Sequence, residues 1–126
     1  MIKKVHTQKA PEAIGPYSQA AVIDGLVYTS GQIAINPETG NIEAADIKGQ
    51  TRRVMENLSA VLESAGSSFD NCIKTTCFLA DIADFAAFNA VYAEYITSKP
   101  ARSCVAVKAL PKNALVEVEV IAAINK

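Results

Sequence analysis

The chain has one histidine, His6, and three cysteines, Cys72, Cys77 and Cys104, with no CxxC pair among them. A zinc site of the usual Cys/His type needs more ligands than that, so none is expected. Each cysteine sits in an apolar, strand-like run and reads as a small buried hydrophobe. No stretch approaches the roughly 18 uninterrupted apolar residues of a membrane-spanning helix, so a membrane partner is not expected either. Met1 to Pro11 carries Lys3, Lys4 and Lys9 without an apolar run behind them. It also lacks the arginine- and serine-rich pattern of a transit peptide, and the expected address is cytoplasmic. Charge of one sign is missing too: 12 basic residues face 13 acidic ones, and the basic ones are scattered. Nucleic-acid binders draw much of their affinity from clustered cations on phosphates, so such a partner is disfavoured. Repeats, low-complexity tracts and linker-like shifts in composition are also absent, which leaves a single domain over residues 1–126.

What is present is a globular composition. Half of the 126 residues are apolar and a fifth are charged, enough for a real core. Strand-like runs cover Ile2 to Thr7, Gln19 to Ile23, Leu26 to Ile33, Asn71 to Ala80, Arg102 to Ala109 and Leu115 to Ile124. Asp24-Gly25 between the second and third runs is a hairpin signal, because both positions tolerate positive φ. From Asp46 to Ala65 the period changes: Ile47, Val54, Met55, Leu58, Val61, Leu62 and Ala65 share one helical face, with Asp46 as N-cap and Gly66 as stop. A second amphipathic helix follows Asp84, carrying Phe85, Phe88, Tyr92 and Tyr95, and Pro100 prevents it from running on. The order β-β-β-α-β-α-β-β predicts an α+β fold, a mixed sheet of about six strands with both helices on one face. In the last strand Val116, Val118, Val120, Ala122 and Ile124 point one way, and Leu115, Glu117, Glu119, Ile121 and Ala123 the other. Two carboxylates among Leu and Ile suit neither a core nor a wet surface; an inter-subunit interface with a polar site would account for them.

The most pointed local signal is Lys99-Pro100-Ala101-Arg102-Ser103-Cys104. Proline fixes the entry to a strand and Arg102 begins it, with Cys104 and Ala106 on the same side. A guanidinium fork matches a carboxylate through charge-assisted bonds of about 1.5–3 kcal/mol each. The alternative is a structural ion pair, with Glu117 as partner. Glu117 and Glu119 can be read as a catalytic carboxylate pair or as solvated strand charges. Tyr17, in the Gly-Pro-Tyr loop, is a ligand donor or a packed ring with a wet tip. Thr29-Ser30-Gly31-Gln32 allows close backbone approach to a ligand, or marks a β-bulge. Asn89, a poor helix former inside the second helix, reaches into a site or faces water.

Taken together and in order, Ile14-Gly15-Pro16-Tyr17-Ser18-Gln19-Ala20, Thr29-Ser30-Gly31-Gln32-Ile33, Pro100-Ala101-Arg102-Ser103-Cys104-Val105, Leu110-Pro111 and Val116-Glu117-Val118-Glu119 resemble the reactive intermediate deaminase family, RidA (YjgF-like). The resemblance covers essentially the whole chain. It implies a chorismate-mutase-like fold assembled as a homotrimer, with sites in the clefts between subunits. It also implies hydrolysis of 2-imino or enamine acids (2-aminoacrylate/2-iminopropanoate and 2-iminobutanoate) to 2-oxo acids and ammonia, without cofactor or metal. Carried over by position, Arg102 clamps the substrate carboxylate and Glu117 holds the attacking water. Tyr17, Ser30, Gly31, Asn89 and Cys104 line the pocket, Cys104 through its main chain. The departure from the family pattern is a shorter connection from Tyr95 to Pro100, which leaves the motif residues in place and alters the pocket's rim. Two rival classes remain: a non-catalytic 2-oxo-acid-binding regulatory module, which would use the same clamp without turnover, and an RNA-directed ribonuclease or translation inhibitor.

Overall fold

The computed structural model describes residues 1–125. Six strands, β1 (Lys3–Val5), β2 (Ala20–Ile23), β3 (Leu26–Thr29), β4 (Cys72–Leu79), β5 (Ala101–Ala106) and β6 (Val116–Ala123), form one sheet ordered β1-β2-β3-β6-β4-β5. Neighbours are antiparallel except β4 and β5, which run parallel and are joined through a helix. That joining helix is α2 (Phe85–Tyr95); the longer α1 (Ile47–Ser64) connects β3 to β4. This is the α+β architecture and element order expected from the periodicities. No described helix is long and apolar enough to cross a membrane.

Both helices lie on one face of the sheet. The α1 stripe of Val54, Met55, Leu58, Val61 and Leu62 is fully buried, as are Val116 and Val118 of β6, and all belong to one core cluster with Phe88 and Tyr92 of α2. Each such side chain contributes about 1.5–3 kcal/mol by leaving water. The ends of α1 follow from single residues. Asp46 accepts from the Gly49 N–H at 3.3 Å. At the other end Gly66, at φ +82, donates to Glu63 O while Ser67 N–H reaches back to Leu62 O, the paired bonds of a glycine-terminated helix.

Two strands end three or more residues before their β-rich runs do. The third run, expected through Ile33, leaves the ladder after Thr29 and touches β6 again only at Gln32, opposite Val118. Tyr28 pairs with Ile121, so three residues (29–31) face only two on β6, which is a β-bulge. The Thr29 hydroxyl takes over as acceptor for the Val120 N–H at 2.9 Å. The fifth run, expected to Ala109, ends at Ala106 because its only neighbour, β4, ends at Leu79; the Val107 N–H makes the last bond, to Leu79 O. The Asp24-Gly25 hairpin is as expected, with φ of 51° and 77°.

The face away from the helices is uncovered within one chain. It carries Glu117, Glu119 and Ile121 of β6 beside Phe78 of β4 and Val105 of β5, and Tyr28 and Val105 are 42% and 46% exposed.

Candidate active site

The strand register decides where each candidate side chain goes. Arg102 is in register with Thr75, which pairs with Val120, so Arg102 sits on the helix-covered face at the sheet edge. Glu117 is in register with Phe78 and, beyond it, Val105, on the open face. The structural ion pair between Arg102 and Glu117 is therefore not formed: the two project from opposite sides of one sheet.

Around Arg102, α2 presents a stripe of Phe85, Asn89 and Tyr92. Arg102 Nη1 donates to Asn89 Oδ1 at 2.7 Å. The guanidinium carbon lies 4.9 Å from the centre of the Tyr92 ring and 5.6 Å from that of Phe85. Asn89 therefore faces the arginine, which explains a poor helix former at that position. Arg102, Asn89 and Tyr92 line an open depression of about 490 Å³, whose rim is built by Ile96, Thr97, Lys99 and Pro100. The short connection after Tyr95 thus forms one wall of this depression, with Lys99 in the left-handed region at φ 54°.

Glu117 occupies a second, tighter cavity of about 170 Å³ together with Tyr17, Gly31, Gln32 and the apolar Ile14, Ile33, Ile35 and Pro111. The two cavities share no lining residue. Burial, and secondarily the charge of Glu119, push the Glu117 carboxyl above its ordinary range. Gly31 stands so close that a Cβ there would lie 2.4 Å from Glu117 Oε2. The bulge and close-approach readings of this segment are thus one feature: the bulge sets a side-chain-free backbone against the carboxylate. Ser30 Oγ donates to Ser18 O at 2.5 Å, so its lone pairs stay free to accept. The Tyr17 hydroxyl takes a long 3.4 Å bond from the Ile14 N–H and keeps its own hydrogen to donate.

Cys104 lies opposite Cys77 across β4 and β5. Burial pushes both thiols up, Cys77 to about 12, opposed at Cys77 first by its hydrogen bond to Thr75 and at Cys104 first by the charge of Arg102. Neither is poised as a thiolate nucleophile.

The family model described as Endoribonuclease L-PSP matches residues 7–124. The chain belongs to this family, the YjgF/RidA family whose motifs it carries. It is 52% identical over 125 residues to the Lactococcus lactis protein described as "Putative regulator AldR", covering 98% of this chain and 99% of that one. The structure of YyfA from Yersinia pestis, of the Rid protein family, superposes with a TM-score of 0.95 at 49% identity, covering 98% and 100% of the two chains. E. coli TdcF with bound serine superposes at 0.91 with 43% identity, covering 98% and 99%.

Several residues that hold this RidA-type arrangement are given no role by the motifs. Gln19 ties the N-terminal loop beside Tyr17 by accepting from Thr7 N–H and donating to Pro11 O at 2.8 Å. Buried Asn57 of α1 donates to Ile33 O and Ile35 O, fixing the chain just after the bulge. Tyr92 and Thr75, hydrogen bonded at 2.8 Å, support Arg102. A buried amide in a helix interior is the available hint for Asn57; for the Thr75–Tyr92 pair only the register reveals it.

Proposed function

We propose that this protein hydrolyses short 2-imino and enamine acids to 2-oxo acids and ammonia, in sites shared between subunits of a homotrimer. The observation that carries the reading is the separation of two complementary half-sites. Among the described residues, a guanidinium with no carboxylate partner lies on one face of the sheet, and a half-buried carboxylate with no cation lies on the other. A second copy presenting its Glu117 face to the Arg102 edge would complete both. Membership of the RidA family supports the reading, as does a relative of the same fold that holds serine, a small amino acid with one carboxylate.

The chemistry asks for three things. Arg102 holds the substrate carboxylate through its fork, and such fixation can lower a barrier by several kcal/mol. Glu117 accepts a proton from water as the water oxygen bonds to C2 of the imine and the C=N pair moves to nitrogen. Starting from the protonated imine, this gives a neutral carbinolamine, which takes that proton on its nitrogen from Glu117. Its hydroxyl then gives its own proton to the freed carboxylate as C2 becomes a carbonyl and ammonia leaves. Glu117 passes this last proton to the departing ammonia, which restores the base. An enamine first moves a proton from nitrogen to its terminal carbon. Tyr17, Ser30 and the main chain at Gly31 and Cys104 supply the remaining hydrogen bonds.

The test couples the protein to a serine or threonine dehydratase and follows loss of the imine. Wild type should accelerate 2-oxo acid and ammonia formation. Arg102→Ala should abolish the acceleration, and Arg102→Lys, which keeps charge but not the fork, should lose most of it. Full activity in the lysine variant contradicts the bidentate clamp. RNA cleavage persisting without Arg102 and Glu117 would instead favour the family's ribonuclease description.

A further inference from the structure

Tyr92 uses its two ends on two neighbours. Thr75 of β4 and Arg102 of β5 are register partners, side by side on the helix-covered face. From α2, Tyr92 lies over both, its hydroxyl 2.8 Å from Thr75 Oγ1 and its ring centre 4.9 Å from the Arg102 guanidinium carbon. The tyrosine is 8% exposed and Thr75 fully buried. Turning the ring away would leave a buried hydroxyl without its partner, so the ring plane is held in place. An aromatic face attracts a guanidinium through its quadrupole, and Tyr92 thereby supplies a floor of fixed direction. Asn89 takes one edge of the fork at 2.7 Å, and the remaining N–H donors are left for a ligand.

We infer that Tyr92, pinned by Thr75, is a positioning residue that aims the Arg102 fork at the substrate carboxylate. The inference rests on the reading of Arg102 as a carboxylate clamp. It sets a long, flexible side chain into one orientation before any ligand arrives, which lowers the ordering cost of binding.

The experiment replaces Tyr92 by phenylalanine and by mono-, di- and trifluorophenylalanine, which keep the ring's shape while draining negative charge from its face. The probe is 2-oxobutanoate, a short 2-oxo acid, titrated calorimetrically into the assembled protein, with imine turnover measured beside it. Tyr92→Phe, which removes the pinning hydroxyl, should bind about threefold more weakly than wild type, the same loss expected of Thr75→Val, and affinity should fall stepwise to about tenfold weaker than wild type at the trifluoro ring. Turnover should follow in KM more than in kcat, because binding of the carboxylate is what is lost. Affinity that stays flat across the series overturns the inference and leaves Tyr92 as core packing. Affinity that is unchanged in Arg102→Ala overturns the clamp itself, an outcome distinguishable from the first. Thr75→Val provides the second arm: it should weaken 2-oxobutanoate binding with Tyr92 intact. Binding equal to wild type there would overturn the pinning role.

Discussion

Gly31 matters for the atom it lacks. Any Cβ would meet the end of the Glu117 side chain, not backbone, so Gly31→Ala should displace the carboxylate at little cost to the fold. The expected outcome is a thermal midpoint within about 3 °C of wild type, because no core contact is lost, together with a fall in kcat/KM of about a hundredfold, the scale of a displaced general base. A variant equally active, or one that fails to fold, would contradict this. The pH dependence follows from the same residue. Its raised pKa means that the native chain holds the proton more tightly than the unfolded chain does. The associated stabilisation is present below the ordinary glutamate range and is lost as pH rises through the raised value. Ionised Glu117 therefore works slightly against folding, a cost consistent with a functional carboxylate. As the proposed base Glu117 must be ionised, so kcat/KM should fall on acidification as its carboxyl takes up a proton; burial and Glu119 raise that pH, and an Arg102 brought opposite by a second copy lowers it. Glu119 contributes to the shift, so Glu119→Gln should move that limb to lower pH. A limb that stays put or rises in this variant would remove Glu117 as its origin.

Among the elements, the bulge after β3 connects fold to site. Its anchor is the Thr29 hydroxyl, which stands in for a backbone acceptor at the Val120 N–H. Thr29→Val preserves the shape and leaves that buried donor unpaired, so urea denaturation should show a loss of about 1–3 kcal/mol. An unchanged midpoint would mean that another group satisfies Val120. This element also marks where the sequence stops being legible. The helix α1 can be read from end to end because its cap at Asp46, its apolar period and its stop at Gly66 agree locally. At residues 30–33 Ser30 and Gly31 are poor strand formers and signal a break, but the form of that break is set by contacts with Glu117 and Val120, distant in sequence. The site divides in the same way. Arg102, Glu117, Tyr17 and Gly31 are named by short motifs, and Asn89 by its oddity in a helix. Tyr92 and Thr75 look like ordinary face and strand residues until the parallel register of β4 and β5 sets Thr75 beside Arg102.

At the scale of the whole molecule, the two half-sites lie on opposite faces of one sheet, which makes the assembly itself testable. Take Arg102→Ala and Glu117→Ala chains, each inactive alone. In a shared site, the clamp comes from one subunit and the carboxylate from its neighbour. A mixed oligomer therefore contains some sites in which an intact Arg102 meets an intact Glu117. With equal amounts and random assembly, each position is filled by either variant with even chance, so about a quarter of the sites in a cyclic oligomer are whole. Co-expressed or co-refolded mixtures should thus recover about a quarter of wild-type activity, whereas chains mixed without exchange should recover none. Native mass spectrometry reports whether hybrids form and how many chains each contains. Hybrid oligomers that remain inactive would mean that both groups act in sites drawn from a single chain, against their placement on opposite faces of the sheet, or would remove one of them from the chemistry altogether.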